Sequence, residues 1–129
     1  MGHSLWEELQ LEDKIFQILT IESYNPSHHF GRPFLTPYQI AIAFMEQFPK
    51  EFSRIGKSVG GKGAGKQGSL AQYFATELSR HICNGSITSI EGGFLHREHM
   101  SALQYMYGGS IIESSGAQTY DLAIFRRVD

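Results

Sequence analysis

Apolar residues recur every three or four positions in three separate parts of the chain. The rows are Leu11, Ile15, Ile18 and Leu19; Ile40, Phe44 and Phe48; and Leu70, Phe74, Leu78 and Ile82. This spacing predicts amphipathic helices that each turn one face toward a core. The first helix is expected over about residues 5–21, with a break near Leu11, and a loop containing two prolines follows over residues 23–34.

The second and third helices carry their own start and stop signals. Residues 36–39, Thr-Pro-Tyr-Gln, place a capping threonine before a proline at the first helical position, with glutamine three residues after the cap. Pro49 interrupts this helix, and a short second piece is expected to end at Gly56. Residues 69–72, Ser-Leu-Ala-Gln, open the third helix, which is expected to end at about Ile82 before an Asn-Gly pair.

The last third of the chain is expected to hold the β structure. Residues 86–95 predict an extended piece with a turn at Gly92-Gly93, and residues 96–105 predict a further helix. Two strands are then expected over residues 111–114 and 120–127, the second because its residues alternate with the period of a strand. These elements together predict a small α+β domain, mostly helical with about four helices and with a C-terminal β-hairpin.

Length and composition fit one soluble domain over residues 1–129. An N-terminal helix and loop over residues 1–34 precede a core over residues 35–127. The longest apolar stretch, residues 40–45, is too short to cross a bilayer, so no membrane partner is expected. The N-terminus is acidic where a secretory signal would be basic and then apolar. With one cysteine, Cys83, no internal disulfide can form, and a cytoplasmic location is expected.

Charge is distributed unevenly along the chain, although the net charge is only −2. Residues 1–31 carry a net charge of −4, residues 32–82 carry +4, and the remainder carries −2. No acidic residue lies between Glu51 and Glu77. A basic middle is typical of a domain that meets a phosphate-bearing partner, but lysines that keep a loop solvated would give the same composition.

Residues 56–68 are expected to form a mobile, cationic loop, because they contain six glycines and three lysines. The spacing of residues 60–66 matches a P-loop up to its lysine. However, Gln67 stands where a serine or threonine must bind magnesium, and no alternating strand and helix pattern surrounds the loop. An NTPase is therefore not expected. Binding of one phosphate by the loop lysines and the backbone amides near Ser69 remains open.

Histidine, cysteine and carboxylate residues form no recognisable catalytic or metal motif. The residue types that bind zinc are present at His81, Cys83, His96 and His99, but their spacing fits no tight zinc motif. No pairing of a nucleophile with a base, and no pair of carboxylates, indicates acid–base or nucleophilic chemistry. A binding protein without a cofactor or a metal is therefore expected rather than an enzyme.

Residues 35–41, Leu-Thr-Pro-Tyr-Gln-Ile-Ala, resemble the first helix of a helix-turn-helix unit, with a capped start before Gln-Ile-Ala. Over residues 35–127 the chain is similar to winged helix-turn-helix DNA-binding domains. The resemblance implies that the helix from Ser69 is the recognition helix, that a short strand follows at Ile87–Ile90, and that the last two expected strands form the β-wing. The long linker between the two helices, and the extra helix before the wing, depart from that pattern.

The sequence is consistent with three functions. The first is binding of nucleic acid, most simply DNA, through an exposed stripe of the third helix and the loop lysines, because Gln and Arg contact base edges while Lys contacts phosphates. The residues expected to make these contacts are Lys57, Lys62, Lys66, Ser69, Gln72, Tyr73, Thr76 and Arg80. The second is a protein-interaction or regulatory module, with a protein partner or as a homodimer, since aromatic residues are plentiful. The third is a small-ligand or enzymatic role for the loop.

Overall fold

The computed structural model describes residues 4–60, 69–101, 103–113 and 121–128. Within these ranges the chain forms five helices and four strands: α1 (Leu5–Glu8), α2 (Leu11–Ile18), α3 (Pro37–Gln47), α4 (Pro49–Ile55), α5 (Leu70–Cys83), β1 (Ile90–Leu95), β2 (Gln104–Tyr107), β3 (Ser110–Glu113) and β4 (Leu122–Arg127). The expected α+β fold, helical first and antiparallel β afterwards, is confirmed. None of the described helices is both long enough and apolar enough to cross a membrane.

The N-terminal helix is broken close to the expected position. Ser4 caps α1, and its hydroxyl oxygen accepts a hydrogen bond from the Glu7 amide at 3.3 Å. Gln10 has a left-handed backbone with φ of 53°, which a right-handed helix cannot include, so a new helix begins at Leu11. α2 ends at Ile18, earlier than the expected residue 21. The apolar row of this helix is buried as predicted.

The predicted boundaries of α3 and α4 are confirmed. The Thr36 hydroxyl oxygen accepts from the Gln39 amide at 3.3 Å, while the Gln39 side-chain oxygen accepts from the Thr36 amide at 2.8 Å. These two bonds make a complete capping box. Pro49 is the first residue of α4, and Gly56 ends that helix with φ of 74°, a conformation that glycine adopts without strain.

Helices α3 and α5 pack together and form the centre of the core. Phe44 of α3 meets Phe74 of α5 edge to face, with ring centroids 5.3 Å apart. Both side chains are fully buried, as are Ile40, Leu70 and Leu78. The apolar rows read from the sequence therefore face each other, and burial of these side chains is the main favourable contribution to the packing.

Two antiparallel strand pairs complete the described fold. β1 pairs with β4 from Ile90 opposite Arg127 to Leu95 opposite Leu122. On the other edge of β4, the backbone groups of Leu35 and Phe125 exchange two hydrogen bonds of 2.8 Å. The segment before α3 is thus tied to the same sheet. β2 and β3 form a separate hairpin.

The prediction that residues 111–114 and 120–127 pair with each other is wrong. β3 pairs with β2, and β4 pairs with β1, which precedes the hairpin in the chain. The physical reason lies in the turn between β2 and β3. Gly108 and Gly109 have φ of 50° and 81°, the left-handed values at both central positions that suit a two-residue hairpin turn.

The helix predicted over residues 96–105 is also absent, because residues 96–101 form turns and irregular backbone and Gln104 begins β2. The alternation of exposed Gln104 and Met106 with the inward Tyr105 is a strand pattern. Tyr105 packs on Tyr38 of α3, with ring centroids 5.2 Å apart. This tertiary contact holds the segment extended against α3.

The predicted turn at Gly92-Gly93 is likewise wrong, since β1 runs straight through both residues. Gly92 lies opposite Phe125 in the β4 register. A Cβ atom at Gly92 would lie 3.2 Å from the Phe125 ring. The absence of a side chain at Gly92 therefore lets a buried ring lie over the strand, which is a packing role rather than a turn role.

Candidate functional site

The start of α5 is a capped helix terminus whose backbone donors already have partners within the chain. The Leu70 amide donates to the Ser58 carbonyl at 2.7 Å, and the Ala71 amide donates to the Val59 carbonyl at 3.0 Å. The Ser69 hydroxyl oxygen accepts from the Gln72 amide at 3.1 Å. Groups that could have bound an anion at this terminus are therefore occupied by the residues that lead into the loop and by the cap.

Along α5, the side chains of Gln72, Thr76, Ser79, Arg80 and Cys83 are exposed. Their spacing of three, four and seven residues puts them on one side of the helix, opposite the buried row. The structure thus presents Gln72, Thr76 and Arg80, three of the predicted site residues, as a continuous polar stripe. Such a stripe can donate and accept hydrogen bonds toward a partner that lies along the helix.

Tyr73 lies beside this stripe and is half-buried rather than exposed. Its ring meets the buried Trp6 ring edge to face at 6.4 Å, and the Lys57 ammonium lies 5.9 Å from the centre of the Tyr73 ring. Burial raises the pKa of the Tyr73 hydroxyl, the Glu77 carboxylate raises it further, and Arg80 opposes the rise. Tyr73 therefore keeps its proton at neutral pH and brings Lys57 next to α5.

Arg80 of α5 and Arg54 of α4 are each held by a carboxylate of the same chain. Arg80 is 2.6 Å from the carboxylate of Glu77, whose side chain is only 15% exposed. Arg54, at the end of α4, is 2.5 Å from Glu8 of α1. The Arg80 and Arg54 side chains are 59% and 55% exposed, so both can also be reached from solvent.

The Arg54–Glu8 pair places the acidic N-terminal segment next to the basic middle of the chain. Trp6 of α1 stacks on the His81 ring of α5, with centroids 5.2 Å apart and planes inclined by 13°. Sequence reasoning identified Arg80 but missed Arg54, Glu8 and Glu77. The Glu77–Arg80 spacing of three on a helix was a readable signal. Residues 8 and 54 are 46 positions apart, and nothing local in the sequence connects them.

Two of the predicted site residues, Lys62 and Lys66, lie outside the described residues, as does most of the loop that was predicted to be mobile. In the described part of the chain, no three histidine, cysteine or carboxylate side chains come together as a metal-ligand set. His96 instead contacts Asp121 at 3.1 Å and Glu98 at 3.0 Å, all three near the ends of β1 and β4. We therefore place the candidate site on α5 and around Lys57.

A second feature of the surface is apolar. Met106 and Ile111 lie opposite each other on the outward face of the β2–β3 hairpin, and they are 78% and 61% exposed. Phe94, near the end of β1, is 74% exposed. Large apolar side chains left in solvent as a cross-strand pair are typical of a surface that a protein partner covers.

Known proteins give no further assignment. The chain matches none of the protein-family models, curated proteins or solved structures with which it was compared.

Proposed function

We propose that this chain binds double-stranded nucleic acid, most simply DNA, with the exposed side of α5 as its recognition surface. The observation that carries the proposal is the polar stripe of Gln72, Thr76 and Arg80 on a helix whose opposite face is fixed in the core. An α-helix with such a face fits the major groove, where glutamine and arginine read base edges.

The order of elements supports the same proposal. α3 and α5 pack against each other, and α5 is followed directly by β1, which pairs with β4. A pair of packed helices with two antiparallel strands after the second helix is compatible with a winged helix-turn-helix arrangement, although the wing expected from residues 111–114 and 120–127 does not form. In this arrangement the strands beside the recognition helix are β1 and β4, and the β2–β3 hairpin is an insertion between them.

The remaining site residues would contact the phosphate backbone. Lys57, Lys62 and Lys66 would bind phosphates irrespective of sequence. The Ser69 hydroxyl accepts from Gln72, which leaves its own proton for a phosphate oxygen. Tyr73 would hold Lys57 in position through the contact between the ammonium and its ring.

Two sets of variants separate these roles in titrations of labelled duplexes at two salt concentrations. Replacing the three lysines by alanine should weaken binding to every duplex alike and lower the salt slope by about 0.9 for each lost phosphate contact. Gln72→Ala or Arg80→Ala should instead change the preference between duplexes, since each base-edge contact contributes roughly 1–3 kcal/mol. Absence of wild-type binding at low salt would end the proposal.

A specific observation favours a second candidate function, which is self-association through the hairpin. Met106 and Ile111 form an exposed apolar pair on a two-stranded sheet that has no third strand among the described residues. A second copy of the chain could cover this face. Sedimentation velocity should then show a dimer that Met106→Ser with Ile111→Ser dissociates, whereas a wild-type monomer at high concentration would rule this function out.

A further inference from the structure

We infer that Glu8 and Glu77 are built-in competitors for the nucleic acid: they hold Arg54 and Arg80, so a backbone phosphate at Arg54 and a base edge at Arg80 must each compete with a carboxylate of the chain. The inference rests on the proposed function and adds the residues that restrain it. It also specifies the ligand class as a polymeric anion rather than a single phosphate group.

The occupied amides at the start of α5 exclude a compact phosphate cradle built from that helix terminus. Leu70, Ala71 and Gln72 donate their amide protons to Ser58, Val59 and Ser69, respectively. A mononucleotide or a free phosphate would find no convergent backbone donors there. The cationic groups described near α5 are instead side chains, Lys57, Arg54 and Arg80, carried by separate parts of the chain. Charges spread in this way suit a ligand that offers many phosphates in a row.

Each arginine is paired but not enclosed. The Arg80 and Glu77 groups are 2.6 Å apart, and the Arg54 and Glu8 groups are 2.5 Å apart, while both arginine side chains are more than half exposed. A guanidinium on an exposed side chain can exchange a carboxylate for a phosphate or for a base edge without leaving the surface. Both side chains of the Arg54–Glu8 pair are exposed, and exposed ion pairs are weak, so exchange at Arg54 costs little. Glu77 is only 15% exposed, and His81 Nε2 lies 3.7 Å from its carboxylate, so Glu77 keeps a neighbour when Arg80 turns to a ligand.

The competition lowers affinity for every polyanion by a similar factor. Glu8 and Glu77 remain close to the arginines after displacement, where their charge repels the incoming backbone. The affinity that charge alone can provide is therefore low, and stable complexes need the additional contacts of Gln72 and Thr76 with bases. Glu8 of the acidic N-terminal segment and Glu77 of α5 thereby limit two arginines in the basic middle of the chain.

The test replaces each glutamate by glutamine, which keeps the shape and removes the charge. Glu8→Gln and Glu77→Gln should each raise affinity for a random-sequence duplex about two- to five-fold at low salt, and the gain should shrink as salt increases. Retention on a heparin column should rise in parallel. Glu46→Gln is the matched control, because Glu46 is exposed and makes no ion pair with any described residue.

A double-variant arm separates local competition from a general change in charge. In an Arg80→Gln background, Glu77→Gln should give no gain, and in an Arg54→Gln background Glu8→Gln should give none. Gains that persist in those backgrounds, or gains equal to that of Glu46→Gln, would overturn the inference while leaving duplex binding intact. If neither the wild type nor any variant binds duplex at low salt, both the inference and the proposed function fail. Thermal unfolding of each variant confirms that the compared proteins are folded.

Discussion

Replacing Gly92 by alanine tests the pairing of β1 with β4 on which the assigned topology depends. In this register Gly92 faces Phe125, a side chain that is only 2% exposed. The added methyl group would lie 3.2 and 3.3 Å from two carbons of the Phe125 ring. The ring would have to shift within a packed core, which costs about 1–3 kcal/mol.

The neighbouring glycine supplies the matched control. At Gly93 the nearest atom to an added methyl group is Ile124 Cγ1 at 3.8 Å, which is an ordinary contact. Alanine there should stabilise by about 0.4–1 kcal/mol, because it restricts the unfolded chain. The same gain applies at Gly92, so the net loss for Gly92→Ala is about 1 kcal/mol. For a chain of this size, this corresponds to a fall in Tm of about 3–5 °C.

Urea and thermal unfolding of Gly92→Ala and Gly93→Ala provide the measurement. The expected result is a less stable Gly92→Ala and an unchanged or more stable Gly93→Ala. Equal stability of the two variants would show that Phe125 does not lie over Gly92, and the β1–β4 register would be wrong. A large loss of stability in both variants would instead support the tight turn that the sequence predicts at these two glycines.

Three further predictions address the cap, a surface carboxylate and a buried tyrosine. Thr36→Val should lower the free energy of unfolding by about 1–2 kcal/mol, because the Gln39 amide loses its hydrogen-bond acceptor. Thr36→Ser keeps a hydroxyl oxygen as the acceptor, so it should keep the stability that this bond contributes; urea unfolding of both variants measures the difference. The Asp121 carboxylate accepts from the Arg97 amide at 2.9 Å, and this bond lowers its pKa. The stabilising contribution of the Asp121 carboxylate is therefore present above the unfolded-state pKa and is lost as the pH falls below about 4. The Tm of Asp121→Asn should fall less steeply with acid than the Tm of the wild type, and an equally steep fall would contradict this. Burial raises the pKa of the Tyr105 hydroxyl, so Tyr105→Phe should remove a tyrosine that ionises late in an ultraviolet titration, and loss of an early-ionising one would refute the assignment.

Much of the helical part could be predicted because its signals are local. A capping box at Thr36 and Gln39 involves residues three apart, and Pro49 and Gly56 act on the helix in which they lie. The buried rows follow from the period of the helix alone. These features need no knowledge of which distant segment packs against them.

The strand pairing could not be predicted in the same way, because it depends on contacts between distant residues. Gly92-Gly93 and Gly108-Gly109 look alike in sequence, yet one pair lies within a strand and the other forms a turn. Phe125, more than 30 positions after Gly92, makes the difference. Segments of four to six residues carry too little pattern to choose a partner.

In the candidate site, too, the features set by local sequence could be predicted and those set by distant contacts could not. The stripe of Gln72, Thr76 and Arg80 follows from helix geometry and is exposed as expected. The partial burial of Tyr73 against Trp6, and the pairing of Arg54 with Glu8, required the tertiary structure. Arg54 and Arg80 are therefore paired with carboxylates, which a count of charges along the sequence does not reveal.

The most direct test is a map of backbone amide chemical shifts for the 15N-labelled protein as a random-sequence duplex is added at low salt. Binding through α5 predicts that the shifts concentrate at Lys57 and over residues 69–80, and that they fade as salt increases. Shifts confined to residues 104–113 would contradict this account and indicate the hairpin as the contact surface. A spectrum that does not change at low salt would contradict nucleic-acid binding altogether.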